Sequence, residues 1–243
     1  MLVLTKLKRS NDRKVTNLVT KNGKQSAIAN TFGLPAGKEF SCPSQTSVCA
    51  KVCYAGKLEK VYPAVRAVLM HNWEALKDAG KYDMCAMLDL MISEFKQECD
   101  KKDAPKVFRI HRDGDFFNDT YAEAWKLVIT QHPDVQFWVY TRVESAARIL
   151  AGIDNLALYF STDSENKYIA TDLRAEGLVK LAYLSDTFAE GKEDMLKMTG
   201  KVGAMCPENA KRLPLISEKG SACYSCGLCI NGKSDIRFSV KKK

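Results

Sequence analysis

Five β-rich runs, "KVFRIH", "VQFWVY", "LALYFST", "VKLAYLS" and "KVGAMC", start about 20 to 30 residues apart between positions 106 and 206. Segments with apolar residues at helical spacing, among them "DTYAEAWKLVITQ" and "VESAARILAG", fill the gaps. Such spacing leaves room for helical crossovers and argues against hairpins, so it predicts βα units and a mainly parallel sheet. A further early strand is expected near "TNLVT". Two helices are expected ahead of the array, over "YPAVRAVLMHNWEALKDAG", where Pro63 suits a first turn, and from Met84 to Phe95. This is too few strands for a complete eight-unit barrel, so the expected fold is α/β, a partial or open (β/α) barrel. At 243 residues the chain suits one domain. Its expected parts are a basic arm with a first cysteine loop (1–60), a βα core (61–205) and a cysteine-rich C-terminal segment (206–243).

With 46% hydrophobic and 27% charged residues the chain reads as globular. No apolar run approaches the roughly 20 residues that span a bilayer. "MLVLTKLKRSNDRK" lacks a secretory apolar core and a cleavage site, so a reducing cytoplasm is expected. There, an odd count of nine cysteines argues for metal or redox chemistry over a disulfide framework. Seven of them form two groups: Cys42, Cys49 and Cys53, then Cys206, Cys223, Cys226 and Cys229. Cys85 and Cys99 lie at helical spacing and read as small core residues.

The stretch "CYSCGLC" (223–229) spaces three thiols as Cys-x2-Cys-x2-Cys. A short turn can direct each sulfur to a different iron of a 4Fe-4S cluster, with a distant cysteine completing the set. Cys206, followed by Pro207, is the natural fourth ligand. Zinc more often uses two separated pairs and is the alternative. One or two clusters are compatible with the two groups. An open iron would accept a small anionic ligand, whereas a fully ligated cluster suits exchange with an electron donor.

In parallel α/β folds chemistry gathers at the carboxyl ends of strands. Here those ends carry Arg109 and His111 in alternation, so on one face, followed by Asp113, Gly114 and Asp115, then Tyr140, Thr141, Arg142 and Glu144, then Ser161, Thr162, Asp163 and Ser164, and finally Cys206. In a parallel sheet all four ends share one rim. His111, Asp113, Asp115 and Arg142 are the catalytic candidates; Arg109, Gly114, Thr141, Ser161 and Asp163 are the cofactor-binding candidates. Structural readings stand beside these: "RDGD" as a turn, Arg142 as an ion pair with Asp115 or Glu144, and His111 as a packed histidine. His71 and His132 read as structural, and Phe137, Trp138 and Tyr140 as sheet and core residues.

"FSCPSQTSVCAKVCYAGK", "VYPAVRAVLMHNW", "FRIHRDGDFFNDTYAEAW" and "VQFWVYTR" together resemble a family of bacteriophage proteins, the mycobacteriophage gene-product-eighty-eight type, across residues 30–230. That resemblance implies a phage origin and carries no activity with it. A wider likeness is to the radical S-adenosylmethionine superfamily. It implies a 4Fe-4S cluster on Cys42, Cys49 and Cys53, an open iron that chelates S-adenosylmethionine, and a cofactor contact from residues 113–115. The sequence departs from that pattern in spacing, Cys-x6-Cys-x3-Cys in place of Cys-x3-Cys-x2-Cys, and in lacking Gly-Gly-Glu.

The net charge is +8, and the first 25 residues carry seven cations, Lys6 to Lys24, against the single acid Asp12, while Lys241 to Lys243 close the chain. Basic arms of this kind attract nucleic acid without sequence preference. No motif for specific readout accompanies them. A redox or radical enzyme is therefore the leading expectation, and a zinc-stabilised basic nucleic-acid binder the alternative.

Overall fold

The computed structural model describes residues 4–241. A small antiparallel hairpin, β1 (Asn17–Val19) and β2 (Gln25–Ala27), precedes four helices: α1 (Ser47–Val52), α2 (Tyr54–Val61), α3 (Pro63–Leu76) and α4 (Lys81–Lys101). Then β3 (Val107–Arg109), α5 (Asp119–Gln131), β4 (Gln136–Thr141), α6 (Glu144–Leu150), β5 (Leu156–Thr162), α7 (Lys167–Ala175), β6 (Lys180–Ser185), α8 (Phe188–Thr199) and β7 (Ala204–Met205) alternate as expected. The chain ends with a two-residue hairpin, β8 (Ile216–Ser217) and β9 (Gly220–Ser221), the short helix α9 (Ala222–Cys226) and β10 (Ile236–Ser239).

Local chemistry explains the helix boundaries. Pro63 opens α3, Asn118 caps α5 by accepting from the Tyr121 amide, and Thr187 with Glu190 forms a capping box on α8. Gly200 closes α8 at φ 70°, a left-handed conformation that favours glycine.

Six strands form one parallel sheet, curled as a half-barrel, in the order β3-β4-β5-β6-β10-β7. Two features differ from the sequence reading. The early strand near "TNLVT" is β1, which pairs antiparallel with β2 outside the main sheet. The position beside β3 is taken by residues 30–34, which run parallel to it: the Arg109 amide donates to the Asn30 carbonyl (3.0 Å), and the Phe32 amide to the Arg109 carbonyl (3.2 Å). The second difference is β10, a strand not anticipated in the tail "SDIRFSV", which inserts parallel between β6 and β7. β7 is therefore an edge strand in the sheet.

The pleat divides the side chains. Phe108, Phe137, Val139, Leu158, Phe160, Leu181 and Tyr183 join the core shared with the helices, around Trp125 and Phe95. Trp138, Ala157, Tyr159, Ala182 and Ile236 point to the opposite, concave face. That face is covered by the segment joining β7 to β10, through Ile230, Leu228, Cys223 and Cys229, together with Val15 of the N-terminal arm. A parallel connection must return along the sheet before its next strand starts. Here the return runs over the concave face and carries three cysteines. Asp235, 4% exposed, anchors its end by accepting from the Leu181 amide (2.8 Å) and from Arg174 Nε (3.1 Å).

A chain truncated before Ile236 would lose an interior strand. We expect it to show no cooperative thermal transition by circular dichroism; a transition like that of the full chain would contradict the interior placement of β10.

Candidate functional site

The two cysteine groups converge from opposite ends of the chain on the half-barrel. Cys206 follows β7, and with Cys223, Cys226 and Cys229 it lines a small recess of about 20 Å³ whose other walls are Pro207, Glu208, Ala222, Leu228 and Ile236. Burial pushes the Cys229 thiol up to about 12 and raises Cys223 and Cys206 as well. Thiols held protonated in this way are poor free nucleophiles, and a metal would have to displace their protons. Cys206 Sγ already accepts a hydrogen bond from the Asn209 amide (3.5 Å). Among the described residues no three Cys, His, Asp or Glu side chains close around a single metal ion.

Cys42, Cys49 and Cys53 occupy the loop and helices that follow residues 30–34. Thr46 caps α1 and donates to Asp163 Oδ2 (2.7 Å), and the Ser47 amide donates to Glu165 (2.9 Å), which ties the loop to the end of β5. Cys53 caps α2, its Sγ accepting from the Gly56 amide (3.3 Å). Burial raises the Cys49 thiol, while the neighbouring Arg142 guanidinium pulls it down; burial also lifts Cys42 to about 12. All nine cysteines are free thiols. Cys99 is buried in the helix-side core, and Cys85 packs against it.

The strand-end residues gather at this rim, but many of their polar atoms are spent on architecture. Asp115 accepts from Thr141 Oγ1 (2.7 Å) and from the amides of Phe116 and Arg142 (both 2.8 Å), which clips the loop after β3 to the end of β4. Arg142 pairs with Asp163 (2.7 Å), a partner the sequence reading did not consider. Gly114 has φ 83°, and a Cβ there would lie 2.4 Å from Ser41 Oγ and 2.8 Å from the Leu34 carbonyl. Its open side is filled by the chain's own loop, in contrast to the cofactor contact expected of it. Ser161 points to the concave face, and its carbonyl accepts from Asn166 (3.2 Å).

Arg109 and His111 were expected to face the same way, but β3 ends at Arg109 and the alternation stops. His111 turns into the helix-side core, packed against Phe116 (ring centres 4.7 Å apart), with Nε2 3.1 Å from the Tyr121 hydroxyl. Asp113 is fully enclosed; neither of its oxygens has a hydrogen-bond partner, and Arg112 Nε lies 3.3 Å away. His132 ends α5 and contacts Asp89 (2.8 Å); His71 meets the Lys6 carbonyl (2.8 Å).

Three residues that join the two groups were not among the catalytic, cofactor-binding or metal candidates. Tyr54, next to Cys53, has its hydroxyl 3.0 Å from the Arg112 carbonyl and 3.4 Å from Arg109 Nη2. Tyr140 packs on the concave face with Cys223 and Cys229. Asp12 pairs with Arg109 (2.9 Å); its sequence signal was its isolation as the one acid in a basic arm.

Four of the seven cations of that arm form ion pairs within the chain. Lys6 pairs with Glu94, Arg9 with Glu98, Lys14 with Glu208 and Lys21 with Asp103. Lys241 is 4.0 Å from Asp186, and Lys242 and Lys243 lie outside the described residues. Among the described residues no helix is long and apolar enough to cross a membrane.

Two predictions follow from the rim. Gly114→Ala combines an unfavourable φ with a backbone clash, and we expect it to cost about 2 kcal/mol or more in urea unfolding; an unchanged midpoint would contradict the close approach of Leu34. His111 is pushed down to about 3 by burial and by the Arg109 charge. Its stabilising contribution is complete above its ordinary value of 6.5 and is lost as pH falls towards 3. Asp115, pushed up to about 6 by burial, has the opposite sign: its contribution is complete below its ordinary 3.8 and is lost as pH rises through 6. Replacing His111 with Phe should therefore remove about 2 kcal/mol of the stability change between pH 7 and pH 5. Urea titrations at the two pH values check this, and an unaltered difference would mean an imidazole open to protons.

Residues 5–232 match the family model described as gene product 88. The chain is 54% identical to the gene 88 protein of Mycobacterium phage L5 over 245 aligned positions, covering 99% of this chain and all of that protein. It is 53% identical to the gene 88 protein of Mycobacterium phage D29, with the same coverage. No solved structure matches.

Proposed function

The chain belongs to the gene product 88 family, and on that premise we propose that it is a phage iron-sulfur protein acting in the infected host cell. In this reading Cys206, Cys223, Cys226 and Cys229 hold a 4Fe-4S cluster in a redox or radical enzyme. The observation that carries the reading is the recess itself: four cysteines, three of them at Cys-x2-Cys-x2-Cys spacing, line one small and apolar recess. Its donor set fits the group. Four thiolates satisfy a cubane, and the apolar walls exclude the water that would hydrolyse it. The Cys-x2-Cys-x2-Cys spacing suits a cubane better than a zinc ion, which more often uses two separated Cys-x2-Cys pairs. A bound cluster would supply one-electron transfer. The protein's own part is to hold the thiolates, to donate an amide hydrogen bond to Cys206 and to shield the site with Leu228 and Ile236.

The finer part of the proposal concerns Cys42, Cys49 and Cys53, an incomplete set of three suited to a cluster with one open iron. Support comes from order along the chain: residues 30–34 run parallel to β3, the cysteine loop follows them, and Arg142 stands beside Cys49 to receive an anionic ligand. S-adenosylmethionine is the ligand that the wider superfamily likeness suggests. The filled cradle at Gly114 weighs against a contact from that glycine. The alternative, a zinc-stabilised nucleic-acid binder, loses support from the ion pairs that four cations of the N-terminal arm form.

Purification without oxygen, followed by iron, sulfide and zinc analysis, tests the reading. We expect about four irons with matching sulfide for one cluster and about eight for two. Cys226→Ser should lose the C-terminal cluster's visible absorption, and Cys85→Ser should keep it. An electron paramagnetic resonance spectrum altered by S-adenosylmethionine would support the open iron. Stoichiometric zinc without sulfide would overturn the iron-sulfur assignment.

A further inference from the structure

Arg109 and Asp12 form an ion pair of nearly buried side chains, 10% and 12% exposed, that the reading above leaves without a role. Besides Asp12, the guanidinium donates from Nε to the His111 carbonyl (3.0 Å). Its carbon stands 5.1 Å from the Trp138 ring centre and 5.6 Å from that of Tyr140. Tyr140 packs with Cys223 and Cys229, and the Cys223 amide donates to the Lys14 carbonyl (2.9 Å), two residues from Asp12. On its other side Arg109 reaches the hydroxyl of Tyr54, the neighbour of Cys53. Arg109 thus stands between the two thiol groups, as does Lys14, which pairs with Glu208 on the recess wall (2.8 Å) and lies 5.9 Å from the Tyr54 ring centre.

We propose that the Arg109–Asp12 pair sets the reduction potential of the group held by the C-terminal cysteines, with Arg109 raising it and Asp12 lowering it. This rests on the iron-sulfur reading. Reduction adds one electron from an external donor to the cluster and makes it more negative. A nearby cation in a site of low dielectric favours that state, and an anion disfavours it. Arg109 is a positioning residue here and ligates nothing. A structural role alone would give the two halves of the pair effects of the same sign, on stability. An electrostatic role gives them opposite signs, on potential.

The test is a potentiometric titration of the iron-loaded full chain without oxygen, followed by absorption and electron paramagnetic resonance. Asp12→Asn is nearly isosteric and leaves the other bonds of Arg109 in place. It should raise the midpoint by about 59 mV or more, a tenfold shift of a one-electron equilibrium. Arg109→Gln should lower the midpoint by a similar amount, Arg109→Lys should keep most of the wild-type value, and the double variant D12N/R109Q should return towards it. If Arg109→Gln fails to fold, Asp12→Asn and Arg109→Lys still decide the matter. Midpoints that do not move, or that move in the same direction, in proteins with unchanged iron and sulfide would overturn this role while leaving the cluster reading intact. A wild-type chain that binds no iron and sulfide would overturn both.

Discussion

The connection from β7 to β10 runs over the face of the sheet that the helices leave bare, and the rest of the site depends on that route. A parallel sheet needs cover on both faces, because its strands are apolar on both. Helices α4 to α8 cover one face of this half-barrel. The other is covered by a crossover with very little regular structure, which carries Cys223, Cys226 and Cys229 back past Cys206 before β10 enters the sheet. The demand for cover and the demand for a metal pocket are met by the same residues. Leu228 and Ile236 serve as core for the sheet and as walls for the thiols.

Electrostatics at the rim follows a similar economy. Asp115, Thr141, Arg142 and Asp163 satisfy one another, and they lock the loops after β3, β4 and β5 to the first cysteine loop through Thr46. Buried charges of this kind are costly to leave unpaired, so their partners specify loop positions. What stays unspent lies further in. The Asp113 carboxylate has no hydrogen-bond donor, and the Arg109 guanidinium faces aromatic rings with a single carboxylate partner. The family relationship points to phage relatives of nearly identical length and carries no chemistry in its name. The functional argument therefore rests on thiols, burial and charge.

Much of this was readable in residue order. Runs such as "LALYFST" match β5 from end to end, and Pro63 opens α3, because strand runs and helix starts are local properties. The cysteine grouping was equally plain. Three things were not. "IRFS" is short and charged at its flanks, and its place between β6 and β7 depends on long-range pairing. His111 seemed to share a face with Arg109 because alternation was carried two residues beyond the end of β3. The ion pairs of the basic arm were not legible because Glu94, Glu98, Asp103 and Glu208 lie at least 80 residues from the cations they meet.

Sequence by itself determined the α/β class, the parallel strands, the two thiol groups and the family, since periodicity, spacing and identity are written along the chain. Only the tertiary structure decided that the C-terminal cysteines line one recess, that Gly114 is filled by its own loop, and that an ion pair from positions 12 and 109 stands between the two groups. The physical reason is that burial and charge neutralisation act through space, and a parallel crossover brings together residues whose separation in sequence says nothing about their distance.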